Sequence, residues 1–209
     1  MDDARQLYEA IVAGDAKTAV RLTRAALDAG VIPLDLVSRE MIPAMDEVGR
    51  RFQCEEYFVP ELLLAARAMK GALDLVRPLL AAGGVEPIGR VVVGTVKGDL
   101  HDIGKNLVAS MLEGAGFEII DLGTDVAPAR FIQAIQEKNA DVACLSALLT
   151  VSMPAMRDTV AAIRHAGVRA KVLIGGAPVT QQFADEIGAD GYSDNANGAV
   201  GLARKFIGS

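Results

Sequence analysis

Apolar positions along this chain follow two different periods. Over roughly the first 80 residues they recur at helical spacing. Residues 3–13 set Leu7, Ile11 and Val12 on one face, and after Gly14-Asp15 the stretch 16–29 sets out Val20, Leu22, Ala26 and Leu27. Gly30 stands at its C-cap position. A third stretch, 33–52, spaces Leu34, Val37, Met41, Met45, Val48 and Phe52 at helical intervals. A fourth, 58–80, has Pro60 in its first turn and runs through Leu62, Leu63, Ala66, Met69, Leu73 and Val76. Four helices with short connections predict a small antiparallel bundle.

Residues 81–89 break the pattern with Gly83-Gly84 and Pro87, which makes them the natural linker. Beyond them the period shortens. Apolar runs at 91–96, 117–121, 141–146 and 171–174, with a weaker one near 191–193, alternate with amphipathic stretches at about 103–114, 127–138, 153–166, 178–187 and 195–207. Runs too apolar to face water, alternating with helices, predict a five-stranded parallel sheet covered on both faces. The expected strand order is 2-1-3-4-5. The predicted organisation is a helical domain over 1–82, a linker at 83–89 and an α/β domain over 90–209.

In such a sheet ligands bind beyond the carboxyl ends of the strands, where the winding reverses between strands 1 and 3. The unusual residues of the chain follow those strands. After strand 1 comes Lys97-Gly98-Asp99-Leu100-His101-Asp102-Ile103-Gly104. In an extended loop Asp99 and His101 project to the same side, so the carboxylate can hold one imidazole nitrogen and leave the other as a ligand or base. An ordinary loop histidine beside an acidic helix cap fits the bare motif equally well. After strand 3 come Leu145, Ser146, Leu148, Thr150 and Ser152, whose three hydroxyls suit a polar ligand edge; capping by Ser152 ahead of Pro154 is the plainer alternative. After strand 4, Gly175-Gly176-Ala177 permits close backbone approach to a ligand. His165, late in a helix, is expected to serve only the helix C-terminus.

Composition narrows the function. A net charge of −6 argues against nucleic acid, which needs a basic face. The chain has no apolar run of membrane-spanning length, and its start, Met1-Asp2-Asp3, is unlike a secretory leader. Cys54 and Cys144 form no disulfide framework, so a reducing cytoplasm is expected. With two scattered histidines and two scattered cysteines, a zinc site lacks ligands.

Together, Asp99-x-His101-x-x-Gly104, Ser146-x-Leu148 and Gly175-Gly176 resemble the fingerprint of cobalamin-binding domains that hold the cofactor base-off and histidine-on. Gly98–Asn106 and Leu145–Thr150 look like the cobalamin module of methionine synthase, and equally like the corrinoid proteins of methylamine, methanol and aryl-ether methyltransferase systems. The resemblance covers essentially the whole chain. It implies a helical-bundle cap followed by a flavodoxin-like, Rossmann-like domain. It also implies that His101 is the lower axial ligand of cobalt, oriented by Asp99, with Ser152 extending the relay. Ser146 is then expected on the displaced dimethylbenzimidazole, in a pocket lined by Leu148 and Gly175-Gly176. Tyr192, Asp194, Asn195 and Ala196 belong to the same cofactor-binding set, the last three closing around the nucleotide end. Val48–Pro60 resembles the cap over the methyl face, placing Phe52 and Val59 over the cobalt-bound methyl; Val59 stands where the methionine synthase cap has leucine.

The implied activity is that of a carrier subunit rather than a complete enzyme. Cobalamin, loaded as methylcobalamin, cycles between Co(I) and methyl-Co(III). The implied partners are a substrate:corrinoid methyltransferase, a methylcorrinoid:acceptor methyltransferase acting on a thiol or tetrahydrofolate, and a reductive-activation protein. The alternatives are an adenosylcobalamin-binding regulator or a mutase subunit. A phosphorelay receiver, which shares the strand order, is rejected because Ser146 and Ser193 stand where it needs aspartate and lysine.

Overall fold

The computed structural model describes residues 2–208. They divide into two compact units, one running to Pro87 and including Glu113–Gly116, the other built from Ile88–Leu112 and the chain from Phe117 onward.

The first unit is helical: α1 Asp2–Val12, α2 Ala16–Asp28, α3 Pro33–Leu36, α4 Ile42–Gln53 and α5 Val59–Ala82. Local chemistry sets the ends. Asp15 caps α2 by accepting from the Thr18 amide at 3.0 Å. Gly30, at φ +82°, closes α2 with its amide on Leu27 O and the next amide, Val31 N, on Ala26 O. Glu61 reaches back to the Phe58 amide at 2.9 Å to start α5.

The expected single helix over 33–52 is instead interrupted by a π-turn at Val37–Met41, where Ile42 N bonds Val37 O. Pro43, which has no N–H to give to Arg39 O, makes the extra residue tolerable there. In α2 the fully buried residues are Ala19, Leu22 and Thr23, while Val20, Ala26 and Leu27 are only half-buried. Leu34 and Leu63, expected in the core, are exposed. The core is carried by Leu7, Ile11, Met41, Met45, Val48, Leu62, Met69 and Val76. At the α4–α5 corner Glu47 accepts from both Arg50 and Arg51 at 2.8 Å. The two guanidiniums hold its carboxyl down at about 2.

The second unit alternates strand and helix: β1 Arg90–Thr95, α6 Ile103–Gly114, β2 Glu118–Asp121, α7 Pro128–Lys138, β3 Val142–Ser146, α8 Met153–His165, β4 Lys171–Gly175, α9 Gln181–Ile187, β5 Gly191–Tyr192 and α10 Ala196–Ile207. All strands pair in parallel, in the order β2-β1-β3-β4-β5, as the alternation predicts. Central β1 and β3 are buried along nearly their whole length, so Val91, Val92, Val93, Val142 and Ala143 can be uniformly apolar. The register sets Thr95 beside Ser146 and Ser146 beside Gly175, which brings the ends of β1, β3 and β4 level. The loops following these three strands therefore share one edge of the sheet. Among the described residues no helix is long and apolar enough to cross a membrane.

Candidate functional site

Chain direction reverses sharply after β1. Asp99 N donates to Val96 O at 3.2 Å across a turn in which Gly98 takes φ +82°. The Asp99 side chain is completely buried, and every group around it is a donor. Oδ1 accepts from the His101 amide at 3.1 Å and lies 2.7 Å from His101 Nδ1. Oδ2 accepts from the amides of Leu148 at 2.8 Å and Leu149 at 3.2 Å, and from Ser152 Oγ at 2.7 Å. The Ser152 proton is shared with Leu149 O, also at 2.7 Å. Ser152 does occupy the N-cap position of α8, but its side chain makes no capping bond. Burial pushes the Asp99 carboxyl upward; the bonds from His101, Leu148 and Ser152 outweigh it and leave the group well below the usual carboxylate range.

An ionised carboxylate can only accept, so the proton of the His101–Asp99 bond sits on Nδ1. Nε2 then carries the lone pair, on a side chain half-exposed to solvent, and makes no hydrogen bond within the described residues. Thr95 Oγ1 donates to His101 O at 2.8 Å and fixes the loop from below. With its proton held on Nδ1, the neutral form of this imidazole has one set tautomer and offers one nitrogen.

Beside it opens a cavity of about 700 Å³, mostly apolar, between the ends of β1, β3 and β4 and the helices α6 and α10. Of the residues expected at a cofactor, Leu100, His101, Asp102, Ile103, Gly104, Leu145, Ser146, Leu148, Gly175, Gly176, Ala177, Tyr192, Asp194, Asn195 and Ala196 line it. Gly98, Asp99, Thr150 and Ser152 do not: Thr150 is exposed, and Asp99 and Ser152 lie buried behind the histidine. Phe52, half-buried at the end of α4, and Val59, exposed at the start of α5, belong to the helical unit. His165 bonds Ala161 O of its own helix at 3.0 Å.

Two properties of the lining speak to the ligand. The Ser146 hydroxyl, at the end of β3, lines the cavity and makes no hydrogen bond within the described residues. Gly176, at φ +127°, passes so close to Ala147 that a Cβ would lie 1.8 Å from its carbonyl oxygen, so the wall at this point is bare backbone. Leu100, Ile103 and Val151, near His101 in sequence or across the β1–β3 loops, are 74–79% exposed, an apolar surface suited to a large flat ligand.

Sequence reasoning missed Lys105, Cys144 and Asp125. Lys105 is 3% exposed and lines the cavity. Its ammonium is saturated by Asp121 Oδ1 and Oδ2 at 2.7 and 2.5 Å and by Asn106 Oδ1 at 2.7 Å. Cys144 also lines the cavity, and burial pushes its thiol up to about 12. Asp125 accepts from Gly98 N; its sequence position, after the other neighbour of β1, was the available signal.

Among the described residues no group of three or more His, Cys, Asp or Glu is placed to hold a metal ion. A bare cation would find too few donors at His101. A metal already held by the four nitrogens of a macrocycle needs just one more from the protein, and that matches the donor present.

Comparison with known proteins gives the same answer. Residues 89–201 match the B12 binding domain family, and residues 3–77 match a second B12 binding domain family. A corrinoid protein of Desulfitobacterium hafniense (strain Y51) is 38% identical over 208 residues, covering 97% of this chain and 96% of that protein. Dimethylamine corrinoid protein 3 of Methanosarcina mazei is 45% identical over 166 residues, covering 78% and 99%. Among solved structures, the methanol:cobalamin methyltransferase complex MtaBC of Methanosarcina barkeri superposes with a TM-score of 0.89 at 27% identity, over 100% of this chain and 80% of that one. A cobalamin-binding protein of Desulfitobacterium hafniense DCB-2 gives 0.79 at 31%, over 99% of both. The chain belongs to the corrinoid proteins built from B12 binding domains, and cobalamin is its cofactor.

Proposed function

We propose that this protein carries a methyl group between two methyltransferases, with its cobalamin held base-off and His101 as the lower axial ligand. The observation that carries the reading is the buried Asp99 carboxylate, which fixes the imidazole proton on Nδ1 and leaves Nε2 as a donor. When bound, the cobalt supplies a centre that takes up a methyl group and gives it up again. His101 would hold the metal through Nε2, while Asp99 holds the imidazole proton and Ser152 steadies Asp99. Ser146 would bond the displaced base, and Asp194, Asn195 and Ala196 would hold the nucleotide end in the cavity; Gly98, Thr150 and Tyr192 complete the proposed cofactor-binding set.

The reading extends to residues 1–82 as a cap whose Phe52 and Val59 meet the methyl group, 83–89 as a linker and 90–209 as the corrin-binding part. Relatives include dimethylamine and trimethylamine corrinoid proteins, which supports a substrate-specific methyltransferase as donor partner. A thiol- or tetrahydrofolate-directed methyltransferase as acceptor partner, a reductive-activation protein and a cytoplasmic location complete the proposal.

The test is reconstitution with methylcobalamin followed by absorption spectroscopy. The expected spectrum is base-off and His-on, and it changes to the His-off form in His101→Ala. A protein that retains no corrinoid, or a His101→Ala variant with the wild-type spectrum, refutes the ligand assignment. Methyl uptake that proceeds equally well without a partner methyltransferase refutes the carrier role.

A further inference from the structure

Something must hold the turn that carries Asp99, and the support comes from the β2–α7 loop. Asp125 there contacts two successive residues of the turn. Its Oδ1 accepts from Gly98 N at 2.7 Å, and its own amide donates to Asp99 O at 3.0 Å. To do both it adopts φ +54°, a left-handed conformation that is costly for most residues and milder for Asp or Asn. The next residue, Val126, bridges in parallel to Val96, so the loop is anchored to the end of β1 immediately before the turn. Asp125 does not line the cavity.

We infer that Asp125 is a positioning residue for His101: it locks the Gly98–Asp99 turn so that the carboxylate, and through it the imidazole, is set in ligating geometry before the corrin arrives. The inference rests on the reading of His101 as the axial ligand. Without the clamp, Gly98 regains its freedom, the Asp99 carboxylate must be placed by its own bonds alone, and part of the binding energy of the ligand is spent on ordering the loop.

The full-length protein and its Asp125→Asn, Asp125→Gly and His101→Ala variants, each reconstituted with cobalamin, test this by the ratio of His-on to His-off absorption across pH. Asn tolerates the left-handed backbone and still offers an acceptor to Gly98, so its ratio is expected to stay within about twofold of wild type. Gly relieves the backbone but removes the acceptor. Its ratio is expected to move about tenfold or more toward His-off, the scale of one charge-assisted bond, while corrinoid is retained. A Gly variant with a lower unfolding midpoint but a wild-type ratio overturns the inference, since it makes Asp125 a stability residue only. An unchanged spectrum in His101→Ala strikes the ligand assignment itself, a separate failure. Should the Gly variant not fold, hydrogen exchange of the wild-type apoprotein decides: the Gly98 amide must be protected comparably to the amides of β1, and rapid exchange there overturns the inference.

Discussion

Replacing Asp99 by Asn probes the site at its least forgiving point. The carboxylate faces donors on both oxygens: the His101 amide and Nδ1 on one, and two amides and the Ser152 hydroxyl on the other. An amide side chain must put its NH2 on one of these sides. Turned toward Leu148 and Leu149, it orphans two part-buried N–H groups. Turned toward His101, it orphans one, and Nδ1 can accept if the imidazole moves its proton to Nε2. The second arrangement wins, and it removes the lone pair a metal needs. An orphaned buried donor costs roughly 1–3 kcal/mol, and the bonds that remain weaken because their acceptor is now neutral. A net destabilisation of about 2–4 kcal/mol follows. Urea unfolding of the apoprotein measures that loss, and the spectrum of the reconstituted variant measures ligation, which is expected to be His-off. A variant that unfolds within about 0.5 kcal/mol of wild type and still shows the His-on spectrum refutes the argument from donor matching.

Three other outcomes follow from the geometry. Gly176→Ala forces a Cβ to 1.8 Å from Ala147 O at φ +127° and is expected to cost about 3 kcal/mol or more in denaturant midpoints, with loss of corrinoid retention; unchanged stability contradicts the close approach. Ser146→Ala removes no bond within the protein, so stability is expected within about 0.5 kcal/mol of wild type while the corrinoid Kd rises about tenfold. A stability loss with unchanged affinity reverses that assignment. Glu47 and Asp99 both ionise more readily in the folded chain than in the unfolded one, so on acidification the unfolded state binds more protons. Their stabilisation is complete above about pH 4.5 and, for Glu47, is lost as pH falls toward 2. Glu47→Gln is expected to flatten the stability profile in that window, and an unaltered slope contradicts the Arg50–Arg51 clamp.

The sheet was legible because its central strands are apolar on both faces: runs such as Val91–Val93 can only be central in a covered parallel sheet, and the β/α alternation leaves few windings. Strand ends were harder. The helix expected from 178 begins at Gln181, because Thr180 supplies the cap to Phe183 N, a local bond no hydrophobic period encodes. The π-turn at Val37–Met41 escaped for a similar reason, since the apolar spacing on either side of it remains helical. Within the site, the spacing of Asp99 and His101 by two residues already suggests their bond. That Leu148, Leu149 and Ser152 converge on the same carboxylate depends on the pairing of β1 with β3, and no local pattern contains it. Asp125 and Lys105 carry no signal on the β1–β3 side of the sheet: their partners lie at the opposite neighbour, β2, whose last residue, Asp121, binds Lys105 and whose following loop supplies Asp125 to the turn.

The bonds from Leu148, Leu149 and Ser152 to Asp99 span 49, 50 and 53 residues, and this gives the site a place in the order of folding. Such contacts close a long loop, and chains bear that entropy late, once the strands that flank it are paired. Until β1 and β3 have zipped together, Asp99 is an ordinary solvated aspartate and His101 an ordinary histidine with a mobile proton. On the proposed reading of His101, a nascent or partly unfolded chain therefore offers no preset ligand, and cofactor loading is expected only in molecules whose sheet has already formed.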